Sequence, residues 1–359
     1  MSRSAIAILS TENLLHNLQV LKQRAKPAKL IAMVKANAYG HGIRSVALKL
    51  QDQGVLFGVA SIDEALILRQ IGISAPIVLM QGVFEPGELP LAAEHNLQVV
   101  FNNAASLQWL DRAVLLRPLT AWIKINTGMG RLGFNMQDAK VAYEKLSADK
   151  NTLKPIKIMS HLACADDISH PLNKEQIENF KEFSLKMQTE LSLANSAAIF
   201  NFPQVVFDYA RPGLALYGVS PIKDKTAADY SLRPVMTLQT SLVSVQLLAK
   251  GSSVGYMASY TCSDDMLVGI AALGYGDGYP ISAKTGTPVI VNNVRCSLIG
   301  RVSMDMMAID LSNYANAKPC DPVILWGNGL PIEEVAKHTA DISWSMLTSV
   351  QHRVKFQWI

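Results

Sequence analysis

Lys35 sits in AMVKANAYGHG, residues 32–42, directly after the apolar run Leu30, Ile31, Ala32, Met33 and Val34. The run is short and strand-like, and Tyr39, Gly40, His41 and Gly42 follow it before a helical pattern from Ile43 to Leu50. A lysine at the carboxyl end of a buried strand, facing a Gly-containing loop, is desolvated enough to act as an amine nucleophile or base. The plainer alternative is a solvated loop lysine. Arg131 lies in WIKINTGMGRLGF, where Gly128, Gly130 and Gly133 let backbone approach a ligand closely. His161, the pair Asn195 and Ser196, and Arg211 with Gly213 complete the group. Each has a bland reading when taken singly. His161 could be a satisfied core histidine, Arg211 half of an ion pair with Asp208, and Ser196 a helix cap.

These residues become one constellation only if the chain brings them to one place. Strand-like runs occur at 30–34, 55–60, 77–81, 97–101, 120–126, 156–161, 191–195 and 207–211, with helical stretches between most of them. One helix starts at Ser61-Ile62-Asp63-Glu64, which reads as a capping box. Another runs from about Lys174 to Leu191, with Ile177, Phe180, Met187 and Leu191 on one face and Asn173 as cap. Eight strand-then-helix units predict a closed (β/α)8 barrel of parallel strands. In such a barrel the active site is built at the carboxyl ends of the strands, where all the residues above fall. Loops after the seventh and eighth strands are its usual phosphate site, and Ser196 with the Gly213 amide fits that role. A phosphate cradle beside a lysine able to form an imine is what pyridoxal phosphate requires.

After Gly218 the texture changes. Residues 219–234 read as a linker, and strands follow at Val235–Leu248, Met266–Leu273, Pro288–Val291, Val294–Ile299, Met306–Leu311 and Val323–Trp326. Asn292-Asn293 predicts a two-residue hairpin turn, because Asn tolerates positive φ. Helical stretches near Glu333–Lys337 and Trp344–Gln351 close the chain. The expected division is a barrel over 1–230 and a smaller, mostly antiparallel β domain over 231–359.

At 359 residues, with 49% hydrophobic and 17% charged residues, the composition suits a chain with substantial cores. The net charge of +4 is thinly spread, so nucleic acid and membrane surfaces have little electrostatic claim on it. The apolar run near the N-terminus is too short for a signal peptide, and no segment reaches the roughly 18–20 apolar residues of a membrane span. Cys164, Cys262, Cys296 and Cys320 lie far apart, with no CxxC pair to hold zinc. Free thiols in a cytoplasmic protein are the simplest reading, and Cys164 is not favoured as a nucleophile.

AMVKANAYGHG, INTGMGRLGF, ANSAA, ARPGLALYG, LGYGDGYP and GRVSMDM occur in this order along the chain. In order and spacing they resemble the alanine racemases over nearly the whole length. The resemblance implies that Lys35 carries pyridoxal 5′-phosphate, with Tyr39, Ser196, Gly213 and Leu214 around the phosphate and Asn195 among the cofactor-binding residues. It implies that Arg211 faces the pyridine nitrogen with His161 beside it, and that Arg131 contacts the cofactor and the substrate carboxylate. Tyr275 would be the second base, supplied by the partner chain of a homodimer with shared sites. Met304, through its backbone amide, and Asp305 would seat the substrate, and Lys124 occupies a position often carbamylated. Two departures stand out. Trp344 replaces a tyrosine that commonly donates to the phosphate, and Ile281 replaces a frequent arginine. The rivals are a racemase of broader amino-acid range, a decarboxylase of the same plan, and a non-catalytic pyridoxal-phosphate carrier.

Overall fold

The computed structural model describes residues 4–359. Two compact units emerge, one of residues Leu18–Leu216 with Pro221–Asp224, the other of the N-terminal segment through Asn17, Tyr217–Ser220 and Lys225–Ile359.

The first strand, β1 (Ile6–Leu9), belongs to the second unit. Next come the eight barrel strands: β2 (Lys29–Met33), β3 (Leu56–Val59), β4 (Ile77–Leu79), β5 (Leu97–Phe101), β6 (Leu119–Lys124), β7 (Thr152–Met159), β8 (Leu191–Asn195) and β9 (Tyr209–Arg211). Each pairs in parallel with the next, and β9 pairs with β2 to close the ring. Alternate residues point inward. Ile31, Met33, Leu56, Val78, Val100, Trp122, Met159 and Tyr209 thereby form one packed interior cluster. The Trp122 and Tyr209 rings meet edge-on at 5.1 Å, and the Lys157 ammonium lies 4.7 Å from the Tyr209 ring centre. Gly58 faces the Met33 sulfur, where a Cβ would intrude. Cutting Trp122 back to Ala would cost about 3–5 kcal/mol.

The helix expected from Lys174 to Leu191 runs over Leu172–Ser184 instead, and Leu191 opens β8. Asn173 lies inside its first turn and donates to the carbonyls of Cys164 and Asp167, so it ties a loop down rather than capping.

In the second unit, β10 (Met236–Leu248) is followed by β11 (Ser253–Val254), β12 (Tyr260–Thr261), β13 (Met266–Ala271), β14 (Pro288–Val291), β15 (Val294–Ile299), β16 (Met307–Asp310), β17 (Pro322–Trp326) and β18 (Lys355–Trp358). The main sheet runs β13-β16-β15-β14-β17-β10-β1-β18, and an extra β10–β13 pairing closes its first six strands into a ring. All of these pairs are antiparallel except β1 with β18. A register shift between Leu242 and Ser244 lets long β10 serve β1 and β17 with one half and β13 with the other. Asn292 and Asn293 have φ of 44° and 68°, the positive values a two-residue hairpin turn needs.

The division therefore differs from 1–230 and 231–359 at its start. Ile6 to Leu9 pair with Met236–Gln239 of β10, which draws the first strand into the β unit. The stretch read as a linker is also built in. Glu333 accepts from the Ser220 and Ala227 amides, and a Thr226–Asp229 capping box opens a short turn.

Candidate active site

Strand β2 ends at Met33, whose amide donates to Pro212 O, and Val34 donates to Gly58 O. Lys35 follows, half-buried. The next four residues, Ala36, Asn37, Ala38 and Tyr39, have φ of 51–55° although none is glycine. Each L-residue held in a left-handed turn costs roughly 1–2 kcal/mol. Bonds within the turn offset that cost: Ala38 N–H to Val34 O, Gly40 N–H to Ala36 O and Gly42 N–H to Asn37 O. Asn37 Oδ1 accepts from Ile43 N–H at 2.9 Å. Buried His41 donates from Nδ1 to Tyr39 O at 2.9 Å, and burial pushes its pKa down to about 4, so it stays neutral.

The capping box expected at Ser61 is not formed. The Ser61 side chain makes no cap bond, and the Glu64 carboxylate accepts from Ala60 N–H and Ala36 N–H, each at 2.7 Å. Lys35 holds its proton less firmly than an ordinary lysine, first through burial and then through Arg131, with Glu64 opposing.

Arg211, at the end of β9, is buried. Its Nη1 donates to Ser192 Oγ at 2.6 Å, and its Nη2 to Ser160 O at 2.5 Å, His161 Nδ1 at 3.1 Å and Leu193 O at 3.2 Å. Asp208 instead accepts from the Leu191 amide, so the bland ion-pair reading of Arg211 falls away. Because the guanidinium can only donate, His161 Nδ1 is the acceptor and the ring carries its proton on Nε2. Burial, followed by Arg211, Lys124, Arg131 and Lys35, holds the His161 pKa well below its usual value. Lys124, buried at the end of β6, is lowered to about 7 by burial and then by Arg211, Arg131 and Lys35. Arg131 is exposed on a loop folded back by Asn126 Oδ1, which accepts from Gly128 and Gly130 amides, and by Phe134 N–H to Lys124 O. The structure thus gathers Lys35, Lys124, Arg131, His161 and Arg211 into one positive neighbourhood. Among the described residues, Glu64 is the carboxylate that acts on Lys35, against Arg131.

Asn195 caps the short helix Ser196–Asn201, accepting from Ala198 N–H at 3.0 Å. Ser196 is therefore not the cap. Its buried Oγ accepts from Gly213 N–H at 2.8 Å and Ala215 N–H at 3.4 Å. The Gly213 amide expected to face a phosphate thus donates to Ser196, whose own O–H hydrogen remains to be given. A Cβ on Gly213 would collide with the Tyr39 ring, and buried Leu214 opens the turn Leu214–Tyr217. Burial raises the Tyr39 phenol to about 12. A hydroxyl donor at Ser196 and the surplus positive charge of Lys124, Arg131 and Arg211 beside the Lys35 amine fit an anionic aldehyde cofactor.

A separate group lies in the β unit. Tyr275 begins the turn Tyr275–Asp277, with its amide on Ser303 O, and Gly276 N–H donates to Met304 O. Asp277 is wholly buried. It accepts from Gly274 N–H at 3.0 Å and from Arg353 Nε at 2.7 Å, and Arg353 Nη2 also donates to Asp305. The Asp305 carboxylate is thus engaged by Arg353. Tyr275, Met304 and Trp344 are exposed, Trp344 in the first turn of the helix Ser343–Ser349. Sequence reasoning missed Glu64, Asp277 and Arg353 as site-building residues. Asp277 stands inside LGYGDGYP, three residues after Gly274, which is a legible cap spacing. Nothing local marks Arg353.

Comparison with known proteins gives the family. Residues 9–221 match the alanine racemase N-terminal domain and residues 235–358 the alanine racemase C-terminal domain. The chain is 43% identical over 357 residues to an alanine racemase of Aeromonas hydrophila, covering 99% of this chain and 100% of that one. It is 42% identical to a biosynthetic alanine racemase of Escherichia coli, covering 99% of each. Its fold superposes with a TM-score of 0.97 on the biosynthetic alanine racemase of Pseudomonas aeruginosa, at 39% identity and 99% coverage of each chain. An alanine racemase of Bartonella henselae with covalently bound pyridoxal phosphate gives a TM-score of 0.89 at 29% identity, covering 99% of this chain and 98% of that one. With both domain families matched over nearly all of its length, the chain belongs to the alanine racemase family.

Proposed function

We propose that this chain interconverts L-alanine and D-alanine with pyridoxal 5′-phosphate at the barrel mouth, Lys35 and Tyr275 serving opposite faces of the substrate. The carrying observation is the Lys35 amine, held below its ordinary pKa at the end of β2 among Lys124, Arg131 and His161. When bound, the cofactor supplies the electron sink that acidifies the substrate's Cα–H. Everything else falls to the protein. Lys35 takes or returns the proton at Nζ, and a lowered pKa keeps more of that amine neutral and ready to accept. Tyr275 does the same at its phenolic oxygen from the other face. Two bases avoid turning the substrate over.

Ser196 O–H, the turn at Gly213 and Leu214, Tyr39 and Asn195 would hold the phosphate end, with Trp344 as a further donor. Arg211 would hold the pyridine end, its position set by four acceptors, His161 among them. Arg131 would orient the substrate carboxylate through its planar fork. The Met304 amide would contact the substrate, with Asp305 holding the Met304 loop through Arg353. Lys124, its pKa lowered to about 7, suits carbamate formation. The neutral amine adds to carbon dioxide, an N–C bond forms, a proton leaves nitrogen for water, and the resulting anion would steady Arg131.

The assembly in this reading is a homodimer in which each site joins Lys35 of one chain to the partner's Tyr275. The exposed Tyr275 and Met304 side chains support it. Among the described residues no helix is long and apolar enough to cross a membrane. Cytoplasmic supply of D-alanine for peptidoglycan belongs to the same proposal. The D-alanine supply, not the compartment, is what the biosynthetic relatives support.

Incubating the protein and pyridoxal phosphate with L-alanine in deuterated water tests the proposal. D-alanine should accumulate with deuterium at Cα. Recovery of undeuterated L-alanine alone would sink the reading. Faster turnover of serine, lysine or arginine would redirect it to a broader-range racemase.

A further inference from the structure

Glu64 belongs to the first turn of the helix Ile62–Gln70, yet it caps nothing in the expected manner. One carboxylate oxygen takes Ala36 N–H and the other takes Ala60 N–H, both at 2.7 Å. We propose that Glu64 is a positioning residue for Lys35, its carboxylate pinning the amides that follow two adjacent barrel strands and so fixing where the lysine side chain emerges. The inference rests on Lys35 being the amine that carries the cofactor.

The Lys35–Ala36 peptide is planar, so gripping Ala36 N–H fixes the Lys35 carbonyl and with it the residue's ψ. Ala36 is also the first residue of the left-handed run, and it is exposed. A neutral contact there would compete poorly with water. A charged acceptor gives roughly twice the strength of a neutral one. Ala60 follows β3, which is paired with β2 from Ile31↔Leu56 to Met33↔Gly58. One side chain therefore ties two adjacent strand ends, a helix start and the lysine loop to a single point. The left-handed turn has its own internal bonds, but Glu64 is what joins its first amide to the neighbouring strand. The carboxylate also opposes burial and Arg131 in setting how firmly Lys35 holds its proton.

The test uses apoprotein and pyridoxal phosphate, measuring the capture rate against pH, with Glu64→Gln and Glu64→Asp beside the native chain. Arg131, Lys124, His161 and Glu64 are the charged or titratable groups acting with Lys35, and only Glu64 is altered. Glu64→Gln can accept from one amide but turns an N–H toward the other. Capture should slow about ten- to hundredfold. Its pH midpoint should move to lower pH, because the group that raises the Lys35 pKa is gone. Glu64→Asp keeps the charge but lacks the reach to both amides. It should slow capture while holding the midpoint near native. Native rate and native midpoint in Glu64→Gln would overturn the proposal.

Lys35→Ala apoprotein is the control for the underlying reading. If it captured the cofactor as fast as the native chain, Lys35 itself would be misassigned, whatever Glu64 does. Should both Glu64 variants fail to fold, hydrogen exchange in the native protein decides. Protection of the exposed Ala36 amide supports the clamp, and exchange at the rate of an unstructured peptide overturns it.

Discussion

At the barrel mouth most of the chemical groups are buried, Arg211 4% exposed, Lys124 7% and Ser196 7%, with Lys35 half-buried and Arg131 exposed on its loop. In the β unit the exposure is reversed. Tyr275 is 38% exposed and Met304 52%, while the residue that holds their loops, Asp277, is 0% exposed. The first region fixes its side chains by desolvation and by bonds to backbone carbonyls, and that burial is what drives the Lys35, Lys124 and His161 pKa values down. The second fixes its turns through Ser303 O, Met304 O and the buried-to-surface Asp277–Arg353–Asp305 brace. It leaves the Tyr275 and Met304 side chains exposed. Electrostatic tuning and the display of exposed side chains are different tasks, and the two units divide them.

Breaking the buried region should have the largest effect. Lys35→Ala should lower racemisation by about three orders of magnitude or more and abolish the visible absorbance of lysine-bound cofactor, since anchor and base are lost together. Near-native D-alanine formation in a chiral assay would end the assignment. The next test asks whether the outward group serves another chain. Lys35→Ala and Tyr275→Phe subunits, each nearly inactive, are mixed under conditions that exchange chains. A shared site then leaves one fully native site in each mixed dimer, with activity returning to at most about a quarter of native per total chain. No recovery despite proven exchange would place Tyr275 with its own chain.

Two smaller effects sharpen the contrast. Asp277→Asn keeps the shape but weakens the bonds to Arg353 and Gly274 N–H, and should cost about 1–3 kcal/mol in denaturant unfolding. Racemisation should fall by about tenfold as the Tyr275 loop loosens, with cofactor capture unchanged. Altered capture would mean that the brace reaches the barrel chemistry. For Lys124 the sign follows from its lowered pKa. The neutral amine that binds carbon dioxide is lost as pH falls below about 7. A carbamate signal from ¹³C-bicarbonate should fade over that range and be missing in Lys124→Ala. A signal unchanged down to pH well below that midpoint would argue against Lys124 as its source.

The barrel was legible because its evidence is local. Each of the eight apolar runs became a strand within a few residues of its expected ends, and Asn292-Asn293 made its turn. Lys35, His161, Ser196 and Arg211 fell at strand ends for the same reason. What escaped depends on distant partners. Strands Ile6–Leu9 and Lys355–Trp358 are four residues each and exist by pairing with each other and, for the first, with β10. Ala36-Asn37-Ala38-Tyr39 has no glycine to announce four positive φ values; Asn37 and His41 brace the turn locally, and Glu64 holds it from 28 residues away. Glu64 itself was read as half of a capping box. The motif was visible, but the bond goes across to the next strand end. Arg353 carries no local signal because both of its carboxylates are tens of residues away in sequence.

The smallest expected effect tests whether the exposed region tolerates change in its side chains. Trp344 is 46% exposed in the first turn of a seven-residue helix, and its neighbours Ser343 and Met346 supply the buried face. Tyrosine has nearly the same helix propensity as tryptophan, and little core is lost with an exposed ring. Trp344→Tyr should therefore leave the unfolding midpoint unchanged. The change replaces an indole N–H with a phenolic O–H that can also accept. Pyridoxal-phosphate affinity, measured by titrating apoprotein, should stay the same or tighten by about threefold, the size of one marginal hydrogen bond. A large loss of affinity would show that the indole is already fitted to the phosphate. In that case the β unit, like the barrel mouth, would depend on the exact side chain and not only on the backbone that presents it.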